Sequence, residues 1–359
     1  MSKAAELAAL IGSGQAQGNK NLIINGAMTV SQRGTSFTGL ANNAYSLDRF
    51  VYYEIGDSVS DVSQSTDTPN NNFNNALKLD VTTADASVAA GDLTCFLQKI
   101  EGLNSYKLGW GTSDAKSVTL SFYVKSTKTG VHSGAFKNSA QDRSYAFEYT
   151  VNSSNTWEFK TVTVEGDTSG TWLTTNGIGV QVTFALMAGT DFTKTAGSWG
   201  SGNNFGSDNQ VNVMDSTSNE WLITGIQLEI GDVATAFEHE DFGTTLAKCE
   251  RYYVKLLADT TYDSFGSGFF YVSTQFYGTL NPVQTMRGTP TMSGNGSFAA
   301  MSNGSHQGMD SLILNRVLDS GRVIQTYSDM STNNGTAGHG GQIRSNNDVD
   351  AFLEIIAEL

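Results

Sequence analysis

The residues of this chain best suited to chemistry are aromatic rings set among amides, hydroxyls and a carboxylate. Trp199 stands in the run Gly197-Ser198-Trp199-Gly200-Ser201-Gly202-Asn203-Asn204-Phe205-Gly206-Ser207-Asp208. A ring of this kind gives a sugar an apolar face of roughly 150–250 Å², while amides and carboxylates beside it fix the hydroxyls. On that chemistry Trp199, Asn203, Asn204, Phe205 and Asp208 are candidate glycan-binding residues, joined by Trp110 between Gly109 and Gly111. Trp199 and Trp110 have a second reading, as lids folded back on a β-sandwich core, because large aromatics are usually buried. Trp157 and Trp221 lie in strand-like stretches and read as core.

Other chemistries find little support. Gly200-x-Gly202-x-x-x-Gly206 has the wrong spacing for a dinucleotide loop and lacks a strand-turn-helix around it. His132, His239, His306 and His339 are scattered, with no Glu or Cys at ligand spacing, so no metal or other cofactor is expected. No nucleophile elbow, His-Glu metalloprotease signature or marked carboxylate pair is present, and no enzyme is expected. A glycosidase pair assembled only in three dimensions stays open as an alternative. Cys95 and Cys249 are too few for a disulfide framework and read as buried thiols.

These side chains need strands to hold them. Trp221 to Ile230 alternates, with Leu222, Thr224, Ile226, Leu228 and Ile230 on one face, and Gly231-Asp232 ends it. The chain is organised around this strand, with Asn21 to Met28 as its opening partner. Strand signals recur at 48–53, 76–81, 118–124, 145–151 and 180–186. At Trp157, Phe159, Val162 and Val164 the apolar phase slips by one residue, which predicts a β-bulge. Gln64 to Asn75, with Pro69 among five asparagines, and Thr190 to Asn209 read as long polar loops. The pattern predicts an all-β chain: a jelly-roll β-sandwich over 21–242 and a smaller β domain over 254–359. A helical connector over 243–253, capped by Thr244 or Thr245, carries Leu246, Cys249 and Tyr253 on one face. In the second domain 269–277, 312–317, 322–327 and 351–357 read as strands. Residues 2–11 read as a short helix with Ser2 as cap and Gly12 as stop, followed by linker to residue 20.

The net charge of -14 and pI near 4.6 argue against nucleic acid and anionic membrane as partners. No apolar run approaches the roughly 20 residues of a membrane helix, and no export signal is visible. Charged residues make up only 16% of the chain, so solubility must rest on hydroxyls and amides.

Five landmarks in order carry a resemblance: Asn-Leu-Ile-Ile-Asn-Gly-Ala-Met at 21–28, Ser-Gln-Arg-Gly-Thr-Ser at 31–36, Leu-Asp-Arg-Phe at 47–50, Val-Thr-Leu-Ser-Phe-Tyr-Val-Lys-Ser at 118–126 and Thr-Gly-Ile-Gln-Leu-Glu-Ile-Gly at 224–231. With Cys249-Glu250-Arg251-Tyr252-Tyr253 they resemble tail-fibre-like proteins of tailed phages, especially marine ones. The opening is also similar to the first strand of cellulose- and xylan-binding jelly rolls. Those modules continue with Phe-Glu where this chain has Met28 and Thr29, so their structural calcium is not carried over to this place.

The resemblance implies a virion protein, made in the host cytoplasm and carried on the phage tail as a fibre or fibre-tip subunit. Its N-terminal helix, through Leu7, Leu10 and Ile11, would join other tail proteins, and its C-terminal domain would meet host surface glycan or another receptor. A homotrimer is implied by the fibre resemblance; the sequence has no heptad run that would show it. An architectural virion protein and a polysaccharide depolymerase are the alternatives.

Overall fold

The computed structural model describes residues 20–318, 321–331 and 335–359. The expected attachment helix, with Leu7, Leu10 and Ile11, lies outside the described residues. The chain divides into two compact units, one running to Thr245 and including Leu359, the other Leu246–Glu358.

The first unit is a jelly-roll β-sandwich. Its strands are β1 (Ser36–Phe37), β2 (Ala44–Tyr45), β3 (Phe50–Ile55), β4 (Val59–Ser65), β5 (Ala76–Thr83), β6 (Leu93–Glu101), β7 (Val118–Ser126) and β8 (Gly130–Lys137). Then follow β9 (Arg143–Val151), β10 (Glu158–Val164), β11 (Ile178–Ala188), β12 (Thr193–Lys194), β13 (Trp199–Ser201), β14 (Gly206–Ser207) and β15 (Glu220–Ile230). One sheet has the spatial order β1-β4-β5-β15-β7-β10 and the facing sheet β13-β9-β8-β11-β6-β3-β2. The polar stretch 190–209 is therefore not a bare loop: β13 extends the second sheet, and β12 pairs with β14.

Side chains from the two inner faces fill the space between the sheets. Trp221 is fully buried and stacks on Phe96, with centroids 5.9 Å apart and planes 7° from parallel. Phe184 meets Phe122 edge-on at 5.2 Å. Cys95 is buried with its thiol free.

β15 is the centre of its sheet, but its inner face is not the one its alternation predicts. A bulge between Thr224 and Gln227, with Gly225 at φ +63°, breaks the register on β7. Trp221 and Ile223 face the core before the bulge and Ile226 and Leu228 after it. The bulge expected in β10 is absent, since Glu158 to Val164 pair continuously with Val124 to Val118. Asn21 to Met28 forms turns rather than a strand, because Asn25 and Met28 take φ of 61° and 58°. It still serves β15: the Leu22 amide donates to the Leu228 carbonyl at 2.9 Å and the Ile226 amide to the Gly26 carbonyl at 3.0 Å.

A helix at Phe242–Glu250 leads into the second unit. Asp241 caps it, accepting from the Thr244 amide at 2.9 Å, so neither Thr244 nor Thr245 is the cap. Tyr253, expected on the helix, instead opens β16.

The strands of the second unit are β16 (Tyr253–Leu257), β17 (Ser264–Val272), β18 (Gln275–Leu280), β19 (Thr291–Asn295), β20 (Phe298–Ser302), β21 (Ser305–Gly308), β22 (Ile313–Leu318), β23 (Val323–Asp329), β24 (Gly340–Ser345) and β25 (Phe352–Ile356). They form a three-stranded sheet β16-β25-β19 and a seven-stranded sheet β21-β20-β24-β17-β18-β23-β22. Phe270, Phe276, Ile324 and Ile343 from the larger sheet share a core with Leu353 and Ile355. The stretch 269–277 is a hairpin turning at Ser273-Thr274 and not one strand, since two polar residues suffice for a tight reversal.

Candidate binding cleft

On the solvent side of the first sheet of the sandwich, aromatic rings line up across three strands. Phe159 of β10 lies opposite Tyr123 of β7 in register, and their centroids are 5.0 Å apart. Next comes Gly225 of β15, where a Cβ would stand 2.8 Å from Phe73 Cζ and 3.1 Å from Tyr123. Its bare backbone lets the Phe73 ring rest on the strand. Phe73 meets Tyr123 edge-on at 5.5 Å and Phe237 at 5.2 Å, and His239 completes the row at 4.8 Å from Phe237.

Phe73 is held there by its loop. Its amide donates to the Asn70 carbonyl, the Asn72 amide donates to Asn70 Oδ1 at 2.9 Å, and Thr224 Oγ1 donates to the Asn75 carbonyl at 2.7 Å. At the other end of the loop Asp67 accepts from Lys125 Nζ and from the Trp157 indole at 2.9 Å. Burial alone would raise the Asp67 carboxyl, but these two hydrogen bonds hold it below the usual range.

The opposite wall is the segment after β15. The Glu229 carboxylate accepts from the Thr235 amide at 2.8 Å, and Gln227 Oε1 accepts from the Glu238 amide at 2.8 Å. Glu238 Oε2 in turn accepts from the backbone amides of Lys20 and Asn21 at 2.8 and 3.0 Å. Two hollows result, sharing Asn72, Phe73, Phe237 and His239. One, of about 490 Å³, runs over Phe159, Tyr123 and Ser121; the other, of about 310 Å³, is walled by Asn21, Asn25, Asn74, Asn75 and Glu240. Neither is lined by a Lys or Arg. The arrangement offers an apolar floor with a rim of amides and hydroxyls, suited to a ligand with flat apolar faces and hydroxyl edges. Among the described residues no group of three or more His, Cys, Asp or Glu side chains could hold a metal.

The residues singled out in the sequence lie elsewhere in this unit. Trp199 and Trp110 come together, 5.1 Å apart and edge-on, and Trp172 joins both, at 5.4 and 4.8 Å. The Trp199 indole donates to the Glu165 carbonyl at 2.8 Å and the Trp110 indole to the Lys116 carbonyl at 2.8 Å. Trp110 is only 6% exposed and Trp199 packs on the sandwich core. Phe205 is buried beneath the Lys137 ammonium, 3.2 Å from its ring centroid. Asn204 is buried and donates to Ser144 Oγ at 2.9 Å. Asn203 is half-buried and Asp208 exposed, accepting from Thr195 Oγ1 at 3.2 Å. Trp110, Asn204 and Phe205 thus present no free face to a sugar.

Replacing Trp199 with alanine is expected to destabilise the first unit by about 2 kcal/mol, somewhat less than a fully buried tryptophan. Urea unfolding measures it; an unchanged midpoint would mean that the ring carries no packing.

The cleft residues had signals of their own. Tyr123 falls in the hydroxyl phase of β7, and Phe159 falls out of phase with Val162 and Val164. An aromatic on the polar side of a strand is a mark of an outward-facing ring.

No protein family matches the chain, and no curated protein matches it. Among solved structures, it is similar to the enzymatically active domain of tailspike protein 4 of bacteriophage CBA120, at 15% identity and TM-score 0.33 over 59% of this chain. It spans 22% of that tailspike chain. It is similar also to CBM4, at 15% identity and TM-score 0.32 over 58% of this chain and 98% of that one. A third is TmCBM61 in complex with β-1,4-galactotriose, at 9% identity and TM-score 0.29 over 59% of this chain and 100% of that one.

Proposed function

We propose that the chain is a carbohydrate-binding virion protein, a tail fibre or fibre-tip subunit, and that the cleft of its first unit holds neutral glycan of the host surface. The observation that carries this reading is the row Phe159, Tyr123 and Phe237, seated around the buried Phe73, rimmed by amides and hydroxyls and lined by no Lys or Arg. The accessible rings gain from the apolar faces of pyranoses, and the amides, hydroxyls and acidic side chains of the rim replace the water the sugar hydroxyls lose. The ordered landmarks shared with tail-fibre-like phage proteins support the virion setting, with residues 1–20 as the attachment segment. In a homotrimer, weak contacts repeated over subunits and fibres become strong through effective concentration.

The proposed action is binding without a chemical step. Glu238 lines the cleft, but its carboxylate is committed to two backbone amides, which favours a structural part for it.

The test is a printed array of neutral and acidic glycans probed with the full-length chain and with Phe159→Ala. Phe159 is 49% exposed, so its loss is expected to lower binding to neutral glycans about tenfold, the worth of about 1.4 kcal/mol, with little change in unfolding midpoint. Equal binding by both proteins counts against the cleft. New reducing ends on incubation with a bound polysaccharide would replace binding by hydrolysis.

A further inference from the structure

The second unit has an aromatic row of its own. Phe269 of β17, Tyr277 of β18 and Tyr327 of β23 lie directly opposite one another in register, and Ile313 of the edge strand β22 continues the rung. Centroids are 6.2 Å apart between Phe269 and Tyr277, with planes at 22°, and 5.4 Å between Tyr277 and Tyr327. Tyr271, two residues along β17, meets Tyr277 at 5.6 Å. The neighbours of these residues along each strand, Phe270, Phe276 and Ser328, are buried, so the row stands on the outer face of the sheet. Phe269 is 47% and Tyr271 61% exposed.

Polar rungs flank the row on both sides. Ser267, Thr279 and Gln325 lie opposite one another on one side. On the other, Gln275 lies opposite Asp329, and its amide reaches the Tyr327 hydroxyl at 3.3 Å and Asp329 Oδ1 at 3.4 Å. The Tyr327 hydroxyl donates to Asp329 Oδ1 at 2.6 Å. At the open end, Phe269 faces Gly340, which has no side chain to cover it.

We propose that this face is a second carbohydrate-binding surface, which takes a neutral saccharide chain laid across the strands along Phe269, Tyr277 and Tyr327. Flat rings at strand spacing meet the apolar faces of successive sugars, and the flanking amides, hydroxyls and Asp329 meet the hydroxyls on either edge. A second copy of the chain fits less well. The four rings expose roughly 300 Å² together, at about 200 Å² per whole ring, against about 800 Å² a side in a stable protein pair. Polar side chains border most of the row, with Val272 opposite Gln275 and Ile313 at its end as the apolar exceptions. The surface stands on its own observations and does not depend on the cleft of the first unit.

The experiment uses the full-length chain, Phe159→Ala, and the double variant Phe269→Ala/Tyr271→Ala on the same printed array, with solution mass by light scattering. Both substituted rings are largely exposed, and circular dichroism checks that the double variant is folded. At least one neutral glycan is expected to be retained by Phe159→Ala and to lose about tenfold in signal with the double variant, from roughly 0.7 kcal/mol per stacked ring. Glycan binding by the double variant equal to that of the unaltered chain overturns the proposal while leaving the cleft intact. So does an array with no signal from the unaltered chain, which removes both, and so does a double variant that changes the solution mass, which makes the face a self-interface.

Discussion

Lys137→Met is expected to stabilise the first unit by about 3 kcal/mol near neutral pH. Lys137 ends β8 with its side chain fully buried and its ammonium without a hydrogen-bond partner. Burial pushes its pKa down from 10.5 to about 7, helped by the nearby Lys99 charge and opposed by Cys95. A shift of that size corresponds to about 5 kcal/mol of net penalty on the charged form, and about 2 kcal/mol of the gain is lost to repacking around the new side chain. The folded-state value lies below the unfolded one. Below about pH 7 both states are protonated and the penalty is felt in full. Between about 7 and 10.5 the unfolded chain binds the extra proton, so stability rises with pH across that window. Methionine fills the same space without the charge and abolishes that rise. Urea unfolding of both proteins on either side of the window measures the difference. Parallel pH profiles would show that the amine is solvated in the folded protein.

Arg143→Ala should act in the opposite direction, costing about 3 kcal/mol, the low end for breaking a buried ion pair. Its guanidinium holds Asp167 through two bonds, Nε to Oδ2 at 2.9 Å and a terminal nitrogen to Oδ1 at 2.6 Å. The Asp167 side chain is 2% exposed, so a lone carboxylate would be left in a poor solvent. The hydrogen bond to Asp167 raises the already high pKa of Arg143 further, so the guanidinium stays charged. Its loop also seats the tryptophans: the Trp172 indole donates to the Ser169 carbonyl at 3.1 Å, two residues beyond Asp167. The variant should therefore shift tryptophan emission as well as the unfolding midpoint. Restoring stability with Arg143→Met/Asp167→Leu would confirm that the stranded charge is the cause; a midpoint unmoved by Arg143→Ala would refute it.

The sandwich was legible where one face of a strand is apolar and the other polar, as in 118–124 and 180–186. It was misread where that contrast fails for a local reason. Gly225 and its bulge reverse the faces of β15, so a period of two carried through it assigns the second half correctly and the first half wrongly. In β10 the slip between Phe159 and Val162 looked like a bulge because an outward aromatic was not allowed for. Asn21 to Met28 kept its place beside β15 but not its extended form, since positive φ at Asn25 and Met28 is invisible in side-chain pattern. Trp199 and Trp110 were each open to two readings, and packing is the one their geometry fits. The cleft could not be assembled from sequence: Phe73, Tyr123, Phe159 and Phe237 come from four separate segments, and only sheet order makes them neighbours.

The place of β15 also governs how the first unit can be made. It is the last strand of the sandwich in sequence, yet it lies between β5 and β7. Until it arrives, one sheet exists only as two halves, β1-β4-β5 and β7-β10, each with an open edge that can template pairing with another chain. At about 5–20 residues per second, a ribosome needs roughly ten to fifty seconds to reach Ile230. The β5 edge exists once Thr83 is made and the β7 edge once Ser126 is made, and a nascent chain must keep them apart from its neighbours for the part of that time that remains. Fragments that stop short of Ile230 would carry the aggregation hazard permanently, while the full sandwich hides it by closing last at its centre.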